Sequence, residues 1–389
     1  MSTQTAAGSP EPKRLGPVKT ILYSLLPALA LLLLLEGGAR LREFWIPPMA
    51  VDLGQGFTAD SLVFSPDPFD SDYRVTHPRK TINFQDQRFA AKKPAGTLRI
   101  VALGGSSVNY LDYEFSVWGE RLKSQLPGVE RIEIINCGGL SYGSHRLVLV
   151  AAEVLEYDPD LVMIYSGHNE FEELEQLNVA HVELVPVQRE LERFATYRLL
   201  RDLAAWVQIR GLERQSRESQ IAAASPDTGS AWTHTFTEEE IAGRMAAYRA
   251  NLARIVDLSK ARGVPVVIGT VPSNLWKFPP GTAITRWPEV EALYAAGRHA
   301  EGGALAESLL RVGIRHQSSE SENEVIRALA REQALPLADV KAAVIAAEPH
   351  GVPGETLFND HCHLNPEGNR ILIQTYEPLV VDALRSRLP

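Results

Sequence analysis

The chain has 389 residues, enough for one large α/β domain with insertions or for two smaller domains. With 45% hydrophobic and 22% charged residues it can build a sizeable core, while a formal charge of −9 and a pI near 5.7 exclude the basic face that a nucleic-acid partner needs. Two cysteines, Cys137 and Cys362, cannot make a disulfide framework; one bridge between them, or two unpaired thiols, both stay open.

Residues 1–18 are polar and rich in turn formers, the composition of a disordered cytoplasmic tail. Lys13, Arg14 and Lys19 then precede an apolar stretch, Ile21 to Leu35, that Gly37, Gly38 and Ala39 can lengthen. A positive flank before such a stretch reads as an export signal or a signal anchor. The anchor is preferred, as a transmembrane helix over 19–39, because Leu35-Glu36 gives a poor approach to a cleavage site at Gly37-x-Ala39. Either reading puts the bulk of the chain outside the cytoplasm, in the periplasm or at the cell surface.

Residues 40–95 carry Pro47, Pro48, Pro66, Pro68 and Pro78 with weak periodicity, which predicts a linker followed by an irregular wrap. From 96 to 389 strands alternate with helices, the rhythm of an α/β domain with a parallel sheet. The expected strands are Leu98–Leu103, Ile132–Asn136, Leu161–Tyr165, Val264–Thr270 and Leu337–Val340. Insertions interrupt the rhythm near 171–235 and 275–325. In the first, Gln188–Arg210 has the spacing of an amphipathic helix, either a cover for the sheet or a lid resting on a membrane surface. Thr237 and Glu240 form a capping-box signal for a helix ending at Gly263. In the second insertion, Val290–Arg311 resembles one helix–turn–helix of tetratricopeptide type, read as a decoration on the main domain. Trp276 and Trp287 read as packing under a loop, with a sugar platform as the alternative. Asn365 and Pro366 open the last helix.

Three loops at strand ends carry the chemistry: Gly104-Gly105-Ser106-Ser107, Ser166-Gly167-His168-Asn169-Glu170, and Asn359-Asp360-His361-Cys362-His363 near the C-terminus. The C-terminal ends of parallel strands are where an open sheet keeps its site. A serine hydroxyl needs a base to become a nucleophile, and an imidazole needs a carboxylate to fix its tautomer. Ser106 is the candidate nucleophile, with Ser107 as its alternative; His363 is the base and Asp360 its orienting partner. The oxyanion needs preorganised donors, each worth roughly 10²–10³ in turnover. Asn169 offers a side-chain amide, the Ser106 backbone a second N–H, and the loop Asn136–Gly143 a third. His361 and His363 with Asp360 also look like a metal pair, but further ligands at recognisable spacing are missing, so no metal is expected.

In this order the blocks resemble those of the SGNH (GDSL-type) hydrolases: Ser106, a loop after the second strand, Gly167-x-Asn169 and Asp360-x-x-His363. The resemblance covers 96–170 and 240–389 and points to a membrane-tethered branch, which also has Gly-Gly-Ser in place of Gly-Asp-Ser. It implies a three-layer α/β/α, flavodoxin-like fold with a five-stranded parallel sheet, and an esterase that uses Ser106, His363 and Asp360 without a cofactor. The family's oxyanion glycine falls on Ser141, with Gly139 and Gly143 two residues to either side, so Asn169 with Ser141 or Gly139 is the implied donor set. The expected substrate is a short acyl ester, O-acetyl included, on a small molecule, glycan or lipid. The rival readings are an O-acyltransferase with the same site and a non-catalytic glycan-binding scaffold.

Overall fold

The computed structural model describes residues 16–46, 62–78, 80–81, 83–171, 191, 193–200, 203, 236–277, 284–312, 315 and 317–388. The chain divides into two compact units, Met1–Met49 with Glu183–Ser216, and Ala50–Val182 with Arg217–Pro389.

In the first unit, helix α1 (Pro17–Trp45) contains the apolar stretch. Its last turns pack against residues 193–200, of which 195–200 are helical. Glu36 accepts the backbone N–H groups of Ala195 and Thr196, each at 2.9 Å, and Arg198 pairs with Glu43 at 2.6 Å. Among the described residues no helix is long and apolar enough to cross a membrane, so the expected span at 19–39 is not supported. The helix runs on past 39, and the charged residues Glu36, Arg40 and Glu43 are engaged within this unit. Most of the expected helix Gln188–Arg210, the rest of the 171–235 insertion and the 1–15 tail lie outside the described residues.

The second unit opens with a correction. The region expected to be an irregular wrap holds three short antiparallel strands, β1 (Phe64–Pro66), β2 (Tyr73–Thr76) and β3 (Arg88–Ala90), joined in that order. They are tied down by burial, not by length. Phe64 and Phe89 meet edge to face at 4.9 Å, and Glu153 accepts the backbone N–H groups of Val63 and Phe64 at 2.8 and 2.9 Å.

The expected parallel sheet follows. Its strands are β4 (Thr97–Gly104), β5 (Arg131–Gly138), β6 (Leu161–Tyr165), β7 (Val266–Gly269) and β8 (Leu337–Ala338), in spatial order β5-β4-β6-β7-β8. This is the flavodoxin-like order, with its switch point between β4 and β6. β4 and β6 are buried at every position because helices cover both faces, which is why they read as continuous apolar runs. Between β4 and β6 come α2 (Ser106–Asn109), α3 (Asp112–Gln125) and α4 (Ser144–Val154); α5 (Glu238–Ala261) leads into β7. α6 (Trp287–Ala295), α7 (His299–Leu310) and α8 (Glu320–Gln333) precede β8, and α9 (Val340–Ala347) and α10 (Pro366–Arg385) close the chain. α4, α5 and α8 pack together as one layer and α3, α9 and α10 as the other.

Local signals act as read. Thr237 and Glu240 complete a reciprocal capping box on α5, and Asn365 accepts the Gly368 N–H at the start of α10. α6 and α7 form the expected helical pair, turning at Gly297 with φ 73°. The pair has its own small core of Leu275, Trp287, Val290, Tyr294, Ala306, Leu310 and Val352. Trp287 is buried there and Trp276 stacks on Tyr294 at 4.3 Å, so both are packing residues as read.

Candidate active site

The geometry begins with two glycines. A Cβ at Gly104 would collide with the Tyr165 carbonyl and the Val108 side chain, and one at Gly105 with the Asn169 amide nitrogen. Only a bare backbone lets β4 turn at once into α2 with Ser106 at its first position. The hydroxyl of Ser106, though its residue is buried, meets the imidazole of His363: Oγ donates to Nε2 at 2.7 Å. The neighbouring Ser107 Oγ is buried and has no hydrogen-bond partner among the described residues, so the imidazole selects Ser106 between the two.

Asp360 is fixed by its own loop. Its Oδ1 accepts the backbone N–H groups of Cys362 and His363 at 2.9 and 2.8 Å, leaving Oδ2 to accept the His363 Nδ1 proton at 2.6 Å. Partial burial pushes the carboxyl pKa up, but the bonds from the His363 ring and from the two backbone N–H groups outweigh it and hold the group well below the usual carboxylate range. It therefore stays ionised beside the imidazole. A second support comes from Asn274 in the loop that follows β7, which donates its side-chain N–H to the Asp360 carbonyl at 2.8 Å and its backbone N–H to the His361 carbonyl at 3.0 Å. Tyr110, half exposed, packs its ring on His363 at 5.0 Å. Sequence reasoning missed both: an asparagine after a strand and a tyrosine after a short helix carry no signature of their roles.

The expected oxyanion donors separate. Asn169 is buried, gives one amide N–H to the Tyr142 carbonyl at 3.1 Å and lies against the serine turn. An amide has two such protons, so one stays on the serine side. Ser141 has φ 61°, the left-handed region where the resemblance puts a glycine, and its carbonyl accepts from Arg146. Gly139 is a correction. Its N–H donates to the Gly104 carbonyl at 3.0 Å, closing the end of the β4–β5 ladder, and is taken out of the donor set. What Gly139 supplies is space, since a Cβ there would strike the Tyr142 ring.

Beneath this loop lies a charged pair. Glu170, fully buried, accepts the Ser144 backbone N–H at 2.8 Å, the Ser144 hydroxyl at 2.7 Å and Arg244 Nη2 at 2.9 Å. His168 is also buried; its Nδ1 accepts from the Ser318 N–H at 3.4 Å, and the Ser318 hydroxyl lies 3.1 Å away. Burial, with the nearby His363 and His361 rings adding to it, lowers the His168 pKa to about 3, so this imidazole is neutral. His361, largely through burial, is also shifted down. Cys137 and Cys362 are both buried, and no disulfide joins them.

No family model matches the chain, and no curated protein matches it. Solved structures of similar outline include a GDSL-like lipase from Bacteroides thetaiotaomicron, 15% identical, with 75% of this chain and 89% of that chain covered and a TM-score of 0.35. An acetyl xylan esterase, AlAXEase, is 15% identical over 75% of this chain and 100% of that one, with a TM-score of 0.38. AlinE4, an SGNH-hydrolase family esterase, is 15% identical over 75% and 99%, with a TM-score of 0.31.

Proposed function

We propose that the chain is a serine ester hydrolase of the SGNH type, removing short acyl groups such as O-acetyl from a glycan, lipid or small molecule. One observation carries this reading: the unbroken line from Ser106 Oγ to His363 Nε2 at 2.7 Å and from Nδ1 to Asp360 at 2.6 Å. Neutral imidazole takes the hydroxyl proton as Ser106 attacks the acyl carbonyl, and Asp360 stabilises the imidazolium that forms. The Ser106 backbone N–H, unused within α2, and the Asn169 amide bind the oxyanion. Protonated His363 then gives its proton to the leaving alcohol, and water activated by the same ring cleaves the acyl-enzyme.

The reading has a direct test. Purified protein should turn over p-nitrophenyl acetate and be labelled by an alkyl fluorophosphonate at Ser106, located by peptide mass mapping. Ser106→Ala should remove the label and lower turnover at least roughly 10³-fold. Labelling elsewhere, or unchanged turnover in the alanine variant, overturns it.

A location goes with the chemistry. We propose that α1 holds the protein at a lipid surface with the hydrolase outside the cytoplasm. The exposed leucines Leu25, Leu26, Leu29 and Leu31–Leu35 support this.

A further inference from the structure

The loop that orients the base holds three different donor types in one place. Asp360, Cys362 and His363 each offer an atom, and these atoms lie within 4.8 Å of one another, the one such group among the described residues. His361, the partner suggested by the sequence, is the wrong one. Its ring centroid is 6.3 Å from that of His363, and its Nδ1 is 3.9 Å from Asp360. Cys362 Sγ is instead 3.6 Å from His363 Nδ1. A tetrahedral zinc ion with Zn–N near 2.0–2.1 Å and Zn–S near 2.3 Å sets those two ligands about 3.6 Å apart.

We infer that Asp360, Cys362 and His363 form a binding site for a soft divalent cation of the zinc type, and that its occupation shuts the active site down. The donor set chooses the metal: thiolate and imidazole suit zinc, whereas magnesium and calcium want oxygen ligands. The ion enters between Asp360 Oδ2 and His363 Nδ1, now 2.6 Å apart and needing to open by less than about 1 Å for tetrahedral coordination. The Asp360 side chain, 43% exposed, is the open side of the site.

Protons balance simply. The Cys362 thiol releases its proton to solvent, and the Nδ1 proton of His363 relocates to Nε2. Carboxylate and thiolate cancel the ion's two charges, and water completes the shell. With a proton on Nε2, His363 can no longer accept one from Ser106. Inhibition therefore follows from the tautomer, without blockage of the pocket. This consequence, unlike the binding itself, rests on the proposed hydrolase reading.

Two measurements on the full chain separate the parts. Zinc is titrated against a chelating chromophore, and p-nitrophenyl acetate turnover is followed at the same free zinc. The expected result is one ion per chain and a matching loss of turnover that EDTA reverses. With each variant read against its own zinc-free turnover, Cys362→Ser should bind zinc, and respond to it, at least about tenfold more weakly than wild type; Cys362→Ala serves if the serine variant misfolds, and His361→Ala should bind zinc as tightly as wild type. A cysteine variant as zinc-sensitive as wild type, or equal inhibition by magnesium, overturns the inference. Zinc bound through Cys362 in a protein without esterase turnover would sink the hydrolase reading alone.

Discussion

His168 is buried between Gly167 and Asn169, with Tyr165, Ser318, His361, His363 and Asp360 around it. Its Nδ1 accepts a backbone N–H, which fixes the neutral tautomer with hydrogen on Nε2. Protonation has no place in this setting, and the folded-state pKa falls to about 3 against roughly 6.5 in an unfolded chain. A histidine whose folded value is depressed contributes stability that is complete above the unfolded value and is lost as pH falls toward the folded one. At pH 5 that loss is about 2 kcal/mol, from ~1.4 kcal/mol per unit over ~1.5 units. Urea unfolding at pH 7.5 and pH 5 should therefore show a smaller drop in His168→Gln than in wild type, by about that amount. Equal drops would mean that His168 does not carry the acid sensitivity. The candidate site's side chains were legible because the proposed chemistry demands residue types; the structure brings Ser106, His363 and Asp360 into one hydrogen-bonded line, with Asn169 against the serine turn. Gly139 was not, since a backbone N–H has no residue signature and only the fold reveals which carbonyl it meets.

One scale up, α4 begins where the loop bordering Asn169 and the serine turn ends, and Glu170 holds that junction. It takes both donors of Ser144 at the helix N-terminus and ties them to Arg244 on α5. Asn169, next in sequence, grips Tyr142 in the same loop. Side-chain exposures of 0% and 3% leave Glu170 and Arg244 no solvent to fall back on. Breaking one partner of such a pair costs about 3–5 kcal/mol. Glu170→Gln should lower the urea midpoint accordingly. It should also reduce kcat roughly tenfold with little change in KM, because donors for the oxyanion matter only as charge develops. A stability loss with unchanged kcat would make Glu170 structural only. The same scale shows why elements were read unevenly. β4 and β6 announce themselves as apolar runs buried on both faces, whereas β1–β3 are three or four residues long, with Pro66 ending β1 and Pro68 and Pro78 between the strands. The helical pair was visible, but the tight packing of Gly302 against the Tyr294 ring, where a Cβ would collide, was not.

Across the whole molecule, the Ser106–His363 contact closes a separation of 257 residues, so the site exists only once the α/β unit has folded around β4. α10 is keyed to the sheet by Tyr376, whose hydroxyl donates to the Ile164 carbonyl at 2.6 Å. The other unit poses a different physical problem. Between Leu25 and Leu35 α1 has no polar side chain, and its described side chains there are exposed. A helix apolar all round needs an apolar phase to meet. Removing one leucine side chain from water is worth about 1.5–3 kcal/mol, so two carry a partition of at least roughly 10²-fold. Full-length protein in a membrane fraction should then stay in the pellet through high salt. The Leu29→Glu/Leu33→Glu double variant should move to the supernatant with its esterase turnover intact. Wild-type protein released by salt alone, or a double variant that still pellets, would show that these leucines meet something other than lipid.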